Sequence, residues 1–167
     1  PYSTFSEIIG KYFTKKKKFK KKIILIGNLE LLNKQLKKLN CIFPINKIND
    51  LKDAKKNLVN LINIKFKHKK IYSNISRKSN NYIKNSFDKS LEILKKYKDQ
   101  CVMINGPISK KTFLKKSYLG ITEYLSKKTN SKNEIMLIYN NKLSVSPLTT
   151  HIPLKYVTKK ITKNKIY

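Results

Sequence analysis

The chain has 167 residues, of which 39 are basic and nine are acidic, so its formal charge is +30 at neutral pH. Hydrophobic residues make up 40% of the sequence, which excludes a disordered chain and suffices for one domain with a core. No apolar run approaches the ~20 residues of a membrane span, and no signal peptide is visible, so we expect a cytoplasmic protein without membrane contact.

The charge by itself suggests a nucleic acid or an anionic membrane as a partner. Against this, only Arg77 among the 39 basic residues is an arginine, the residue that contacts bases and phosphates in bidentate fashion. The lysines are also spread along the chain, which is rich in residues with AT-rich codons. We therefore prefer compositional drift as the cause and regard nucleic-acid binding as the less favoured alternative, although small anionic substrates would still be attracted.

The amino-terminal half is predicted to begin with a helix that starts at Ser6, as its N-cap, and continues through Phe13. The basic run Lys15–Lys22, interrupted by Phe19, is interpreted as a solvated connector. Ile23–Ile26 is a fully apolar run that favours a strand buried on both faces of a parallel sheet.

Leu29–Leu39 carries leucines at helical spacing after Gly27-Asn28. A strand, a glycine and a helix in this order are compatible with a phosphate-binding turn, but a single glycine without a GxGxxG or GxxxxGK pattern favours an ordinary strand-to-helix turn. Cys41–Ile48 is predicted to be extended. Cys41 and Cys101 have no CxxC or framework spacing, so both are expected to be free thiols in a reducing compartment.

Asp50–Asn60 shows helical periodicity, and Leu61–Phe66 is predicted to be a strand. His68 lies in a lysine run and is expected to be solvated and without a partner. The clearest helix is Ser79–Lys98, capped by Ser79 or Asn80. It leads into the apolar run Cys101–Ile104, which is predicted to be a buried strand of a βαβ arrangement.

Two short helices are predicted after the Asn105-Gly106-Pro107 turn, over Lys110–Lys116 and Thr122–Lys128. Glu134–Tyr139 and Leu143–Val145 are predicted to form a hairpin around Asn140-Asn141. The residue before Pro153 is restricted to extended backbone, so His151 is expected to lie in an irregular segment.

Lys110, Thr122 and His151 each follow an apolar run, and ligands of open α/β sheets lie beyond the carboxyl ends of the strands. Each residue has a structural alternative. Lys110 could bind a phosphate or shape the turn, Thr122 could bind substrate or cap a helix, and His151 could be a metal ligand or a loop histidine. Glu123 is interpreted as a first-turn helix residue rather than an acid or base.

Three segments in this region resemble motifs of one enzyme family. Gly106–Lys110 is similar to GPxxK, Gly120–Leu125 is similar to GHTEFL, and Thr149–Leu154 is similar to TTHxPL. The order and spacing of the three also agree. On these residues the chain resembles the PdxA family of 4-hydroxythreonine-4-phosphate dehydrogenases.

The resemblance implies an α/β fold of the isocitrate/isopropylmalate dehydrogenase type, of which this chain would be the incomplete amino-terminal part. Residues 1–100 would belong to the first domain, and residues 101–167 would begin the second domain with the substrate and metal site. The implied reaction is the oxidation of 4-phosphooxy-L-threonine by NAD or NADP with decarboxylation to 3-amino-2-oxopropyl phosphate, in pyridoxal phosphate biosynthesis.

The resemblance also implies a homodimer that binds a divalent metal (Zn, Mg or Co) through three histidines at its interface. His151 would be the first of these ligands, and Thr122 would contact substrate, with Lys110 as a further candidate. No catalytic or nucleotide-binding residue is assigned, and we expect the fragment to be inactive alone.

Two departures from the family pattern stand out. Residue 121 is Ile where the family has His, and isoleucine cannot donate a hydrogen bond to a phosphate, a loss of about 1.5–3 kcal/mol for a charged contact. The glycines of the family's GDPxGIGPE opening are replaced between Tyr2 and Ser6. The first departure keeps a second hypothesis open, a divergent dehydrogenase of another phosphorylated hydroxy acid. A lysine-rich nucleic-acid-binding protein is a third.

Overall fold

The computed structural model describes residues 1–114, 117–131 and 134–166. It divides into two compact units, Pro1–Phe113 and Leu114–Tyr167, which are described separately. The domain boundary after residue 100 stays a prediction. Among the described residues, no helix is both long enough and apolar enough to cross a bilayer.

The first unit is an α/β structure built on a three-stranded parallel sheet, which confirms the predicted class. Its strands are β1 (Ile23–Gly27), β2 (Ile45–Ile48) and β3 (Val59–Asn63), in the order β1-β3-β2. Val59 is in register with Ile23 on one side and with Ile45 on the other. The helices are α1 (Phe5–Lys15), α2 (Leu29–Lys38) and α3 (Asn80–Tyr97), so the predicted positions of the strand at Ile23 and of all three helices are confirmed.

The central strand β3 carries the core, because both of its faces are covered. On one face Val59 packs with Phe13 of α1 and with Phe19. On the other face Ile62 packs with Ile48 and Ala54, and Ile93 of α3 lies against this group. The strand buried on both faces is therefore β3, whereas β1, expected to be the fully buried strand, lies at the sheet edge and is only half-buried.

Asn60 is the polar centre of this sheet and is 0% exposed. Its Nδ2 donates to the carbonyl oxygens of Ile23 at 3.0 Å, Lys55 at 2.9 Å and Leu58 at 3.2 Å. Its Oδ1 accepts from Asn46 Nδ2 at 2.9 Å and from the Lys55 amide at 2.8 Å. A buried amide is tolerated only when its hydrogen bonds are made, and here they join all three strands and the loop before β3.

Several predicted features of the first unit are wrong in detail. Helix α1 begins after Thr4, and Ser6 lies buried inside it rather than capping it. The helix predicted over Asp50–Asn60 is only a 3-10 turn, Leu51–Asp53, because Asn57 adopts a left-handed backbone (φ 62°) and the following residues pair in β3. The connector at residues 15–22 is solvated except for Phe19, whose ring lies 5.3 Å from that of Phe13.

The buried strand predicted over Cys101–Ile104 does not form. Lys98 adopts a left-handed φ of 42° at the start of a 3-10 turn, Lys98–Gln100, and the chain beyond is irregular. Val102 is 86% exposed and Ile104 is 81% exposed. A strand requires a neighbour for its backbone ladder, and no strand of the described residues pairs with this segment.

Both cysteines are free, as predicted, with Cys41 buried and Cys101 half-buried. Cys41 marks the close approach of α1 to the end of α2. A Cβ added at Gly10 would lie 2.9 Å from Cys41 Sγ and 3.0 Å from Leu36 Cδ2, so the packing of these helices requires glycine at this position.

The second unit contains mostly short elements. They are α4 (Ile121–Thr129), β4 (Ile138–Tyr139), β5 (Ser144–Val145), α5 (Val157–Lys160) and α6 (Lys163–Ile166). β4 and β5 pair antiparallel, and the Asn140 amide donates to the Leu143 carbonyl at 2.9 Å. The predicted hairpin and its Asn140-Asn141 turn are therefore confirmed, although each strand is shorter than expected. The predicted helix at Thr122–Lys128 is confirmed as α4.

Candidate functional site

The carboxyl ends of β1 and β3 lie side by side, where an open α/β sheet offers a ligand site. Asn28 follows β1 and caps α2, because its Oδ1 accepts from the Leu31 amide at 2.9 Å. Its Nδ2 donates to the carbonyl of Ile64 at 3.0 Å, just after β3. The Asn28 side chain thereby fixes the start of α2 to the neighbouring strand end.

Two further side chains occupy the amino end of α2. Asn63 Oδ1 accepts from the Leu29 amide at 2.9 Å, and the Tyr82 hydroxyl of α3 accepts from the Asn28 amide at 3.1 Å. Burial raises the pKa of the Tyr82 phenol above its ordinary value. Since protein oxygens already bind these amides, the turn after Gly27 is an ordinary strand-to-helix turn rather than a phosphate loop.

The prediction of a solvated, unpartnered His68 is wrong. Its side chain is only 4% exposed, and its ring is stacked on Phe66 with the centroids 6.3 Å apart. Nδ1 lies 3.4 Å from the Phe66 carbonyl oxygen, and Nε2 lies 3.5 Å from Lys34 Nζ and 3.8 Å from Glu30 Oε1. His68 thus packs the segment after β3 onto α2, a tertiary contact that a lysine-rich sequence context conceals.

Lys110 is the first residue of a π-helical turn, Lys110–Leu114, and is exposed. The predicted helix extended to Lys116, but residues 115 and 116 lie outside the described ranges. Asn80 of α3 donates from Nδ2 to the Thr112 carbonyl at 2.9 Å, and the rings of Phe87 and Phe113 stack at 5.9 Å. Helix α3 therefore holds the turn at two points while the lysine remains accessible to an anion. Sequence reasoning gave Asn80 only a capping role.

In the second unit, Ile121 and Thr122 are the first two residues of α4, and both are half-buried. Gly120 is the N-cap, so the capping role considered for Thr122 is not the observed one. Glu123 lies in the first turn, as predicted. Its Oε2 is buried without a hydrogen-bond partner among the described residues. A carboxylate in the first turn is favoured by the helix dipole.

His151 lies in irregular backbone between β5 and the turn at Leu154–Tyr156, as predicted. It adopts a left-handed φ of 55° and its side chain is exposed. A non-glycine residue with this backbone is uncommon, and such residues concentrate at functional sites. Lys110 belongs to the first unit, whereas Ile121, Thr122 and His151 belong to the second.

The described residues contain no group of three His, Cys, Asp or Glu side chains that could hold a metal ion. The exposed imidazole of His151 can supply one nitrogen ligand, and a bound divalent ion requires further ligands. These residues by themselves therefore do not fit a complete metal site.

Taken together, the geometry defines an α/β protein whose parallel sheet is followed by a lysine-bearing turn and an exposed histidine segment. Residues 19–167 match the model of one family, described as pyridoxal phosphate biosynthetic protein PdxA. The chain belongs to this family.

Individual relatives match shorter stretches. A 4-hydroxythreonine-4-phosphate dehydrogenase of Sulfurihydrogenibium sp. is 40% identical over 77 residues, which cover 45% of this chain and 23% of the relative. The enzyme of that name from Aquifex aeolicus is 47% identical over 49 residues, which cover 29% of this chain and 15% of the relative. The enzyme of that name from Pseudoalteromonas translucida is 35% identical over 66 residues, which cover 38% of this chain and 20% of the relative. The matching stretches thus span less than a quarter of each relative's length.

Proposed function

We propose that this chain forms part of a 4-hydroxythreonine-4-phosphate dehydrogenase, an oxidoreductase of pyridoxal phosphate biosynthesis. The observation that carries the proposal is the family match over residues 19–167, which includes all three motif segments. The relatives at 35–47% identity bear this enzyme name. The proposed enzyme is cytoplasmic and homodimeric, with the two-domain architecture of the isocitrate/isopropylmalate dehydrogenase type and a domain boundary near residue 100.

The substrate in this proposal is 4-phosphooxy-L-threonine. Its hydroxyl-bearing carbon loses a hydride and the hydroxyl loses a proton, which leaves a 2-amino-3-oxo acid that loses CO2 to give 3-amino-2-oxopropyl phosphate. NAD or NADP would accept the hydride, and a divalent cation (Zn, Mg or Co) would polarise the hydroxyl and then the keto oxygen.

The residues of this chain would act in binding and orientation. The exposed ammonium of Lys110 is suited to the substrate phosphate, because α3 fixes its turn through Asn80 and Phe87. Thr122 would donate or accept a hydrogen bond at the start of α4. His151 would give one imidazole ligand to the metal, and its exposed position leaves room for ligands that the described residues do not supply.

A divergent dehydrogenase acting on another phosphorylated hydroxy acid is the second candidate, and Ile121 is the observation that favours it. The isoleucine occupies the first position of α4 without a hydrogen-bonding group, next to Thr122. A substrate that offers an apolar group at this point would fit it better than one that requires a donor.

The test is an assay of the protein made from the complete reading frame that contains this chain, with 4-phosphooxy-L-threonine, NAD or NADP and a divalent metal. We expect reduced nicotinamide to form, and His151→Ala to lower both the activity and the metal content without lowering Tm. A protein that reduces no nicotinamide with this substrate but does so with another phosphorylated hydroxy acid would support the second candidate. Inactivity with both classes would contradict the proposal.

A further inference from the structure

The lysine-rich segment that begins at the last residue of α1 and leads into β1 has a defined place in the fold. Seven of the eight residues from 15 to 22 are lysines, and all seven are exposed. The eighth residue, Phe19, is buried against Phe13 and Val59. Because the phenylalanine is anchored in the core, the lysines on either side of it are held at the surface at the amino end of β1.

A second lysine segment is held beside the first. The Phe19 amide donates to Asn57 Oδ1 at 3.0 Å, and Asn57 turns the loop that leads into β3 with its left-handed φ of 62°. Lys55 and Lys56 in this loop are exposed. The seven lysines of residues 15–22 together with Lys55 and Lys56 form what we call the amino-end cluster, at the start of two adjacent parallel strands.

The amino-end cluster is not neutralised by acidic side chains of the described residues. The ion pairs found within the described ranges engage Lys11, Lys34, Lys84, Lys89 and Lys96, none of which belongs to the cluster. Lysines that the sequence distributes over 42 positions, from 15 to 56, are thus brought together by the fold. Such a concentration of positive charge without ion-pair partners attracts a polyanion. When the polyanion binds, the lysines displace the counterions that were condensed on it.

We propose that the amino-end cluster binds the phosphate backbone of double-stranded nucleic acid without sequence preference. Lysine is a point charge suited to phosphates, and the cluster contains no arginine that could read bases. Single strands are bound by stacking on several exposed aromatic rings. The Phe19 ring faces the core, and the nearby Tyr12 ring, which is 47% exposed, has Lys16 Nζ over one face at 5.6 Å. The inward position of Phe19 also removes the apolar anchor expected of a membrane-binding segment.

The experiment compares two variants that lose the same charge at opposite ends of the sheet. The cluster variant is K17Q/K18Q/K20Q/K21Q. The matched control is K65Q/K67Q/K69Q/K70Q, whose lysines are exposed and follow β3 at its carboxyl end. Binding of the 167-residue chain to a fluorescent 20-base-pair DNA duplex of mixed sequence is measured over a range of salt concentrations, with vesicles containing phosphatidylserine as a second probe. Circular dichroism and Tm establish that both variants are folded.

We expect the cluster variant to bind the duplex at least about tenfold more weakly near physiological salt. Its log Kd–log salt slope should fall by up to about 3.6, since each of the four lost phosphate contacts contributes about 0.9. The control variant should change affinity by less than about threefold. Equal losses in both variants would show that net charge rather than the cluster governs binding, and would overturn the proposal. Absence of duplex binding by the unaltered chain, or a preference for the vesicles, would overturn it as well.

Discussion

Asn60 Nδ2 lies 3.0 Å from the carbonyl oxygen of Ile23, so a fully buried side chain of the central strand hydrogen-bonds the first residue of the neighbouring strand. The same amide group binds both the carbonyl and the amide of Lys55 in the loop before β3. A single side chain therefore aligns the start of β1 with the start of β3. Its removal deprives several partly buried backbone groups of this partner.

Replacement of this residue by a leucine of similar size, Asn60→Leu, is expected to destabilise the chain by about 3 kcal/mol or more, because unpaired buried polar groups cost roughly 1–3 kcal/mol each. Urea denaturation followed by circular dichroism measures the change. Asn33→Leu, at an exposed position of α2, is the matched control and should change stability by less than about 0.5 kcal/mol. Similar effects of the two substitutions would contradict the structural role of the Asn60 network.

Tyr82→Phe removes the oxygen that accepts from the Asn28 amide at the amino end of α2. We expect a loss of about 1–2 kcal/mol in unfolding free energy, and faster hydrogen exchange of the Asn28 amide, since that donor loses its partner. The exchange rate is measured by NMR. Tyr72→Phe, at an exposed tyrosine of the same unit, should leave the Asn28 amide unchanged. An unchanged Asn28 rate in Tyr82→Phe would show that the hydroxyl does not hold this helix end.

The contacts of the Asp50 carboxylate predict that the folded chain loses stability in acid. The carboxylate accepts from the Lys52 amide at 2.9 Å, from Lys96 Nζ at 2.7 Å and from the Tyr97 hydroxyl at 2.8 Å, and these contacts hold its pKa well below the usual range. Because the pKa is lower in the folded state, the ionised carboxylate stabilises the fold at pH values above its unfolded-state pKa, about 3.9. This stabilisation is lost progressively as the pH falls below that value.

The stability difference between the parent chain and Asp50→Asn should therefore be largest near neutral pH and shrink as the pH falls below about 3.9. Thermal unfolding at a series of pH values measures it. Asp88→Asn is the control, because Asp88 has the same 40% side-chain exposure and its ion pair with Lys84 is longer, at 3.7 Å. A difference that is constant with pH would show that the carboxylate of Asp50 contributes no titrating interaction.

Ile121→His supplies the hydrogen-bonding side chain that the resemblance to the family implies at this position. In the complete enzyme we expect kcat/KM for 4-phosphooxy-L-threonine to rise by about 10- to 100-fold, which corresponds to the roughly 1.5–3 kcal/mol of a charged hydrogen bond. Ile121→Leu, which adds no donor, should leave kcat/KM within about threefold. An Ile121→His enzyme no better than Ile121→Leu would indicate a different substrate pose and favour the divergent dehydrogenase.

Local sequence patterns predicted the elements whose stability is decided by nearby residues. The leucine spacing of α2, the apolar face of α3 and the Asn140-Asn141 turn all depend on contacts within a few positions, and all three were predicted. The helix expected over Asp50–Asn60 failed because the pairing of Val59 with both neighbouring strands overrides a weak local periodicity. The strand expected at Cys101–Ile104 failed because a strand needs a partner that its own residues cannot supply.

The same distinction applies to the candidate site. The sequence by itself determined the family, through three motif segments whose order and spacing can be read from the chain alone. It also singled out Lys110, Thr122 and His151. Only the tertiary structure decided which polar groups are already satisfied and which charges are adjacent. Asn28, Asn63 and Tyr82 meet at the start of α2, and His68 lies beside Lys34 and Glu30 of the same helix. Phe19 fixes the lysines around it by packing against Val59. Each of these contacts joins elements that lie apart in the chain, so local sequence patterns could not reveal it.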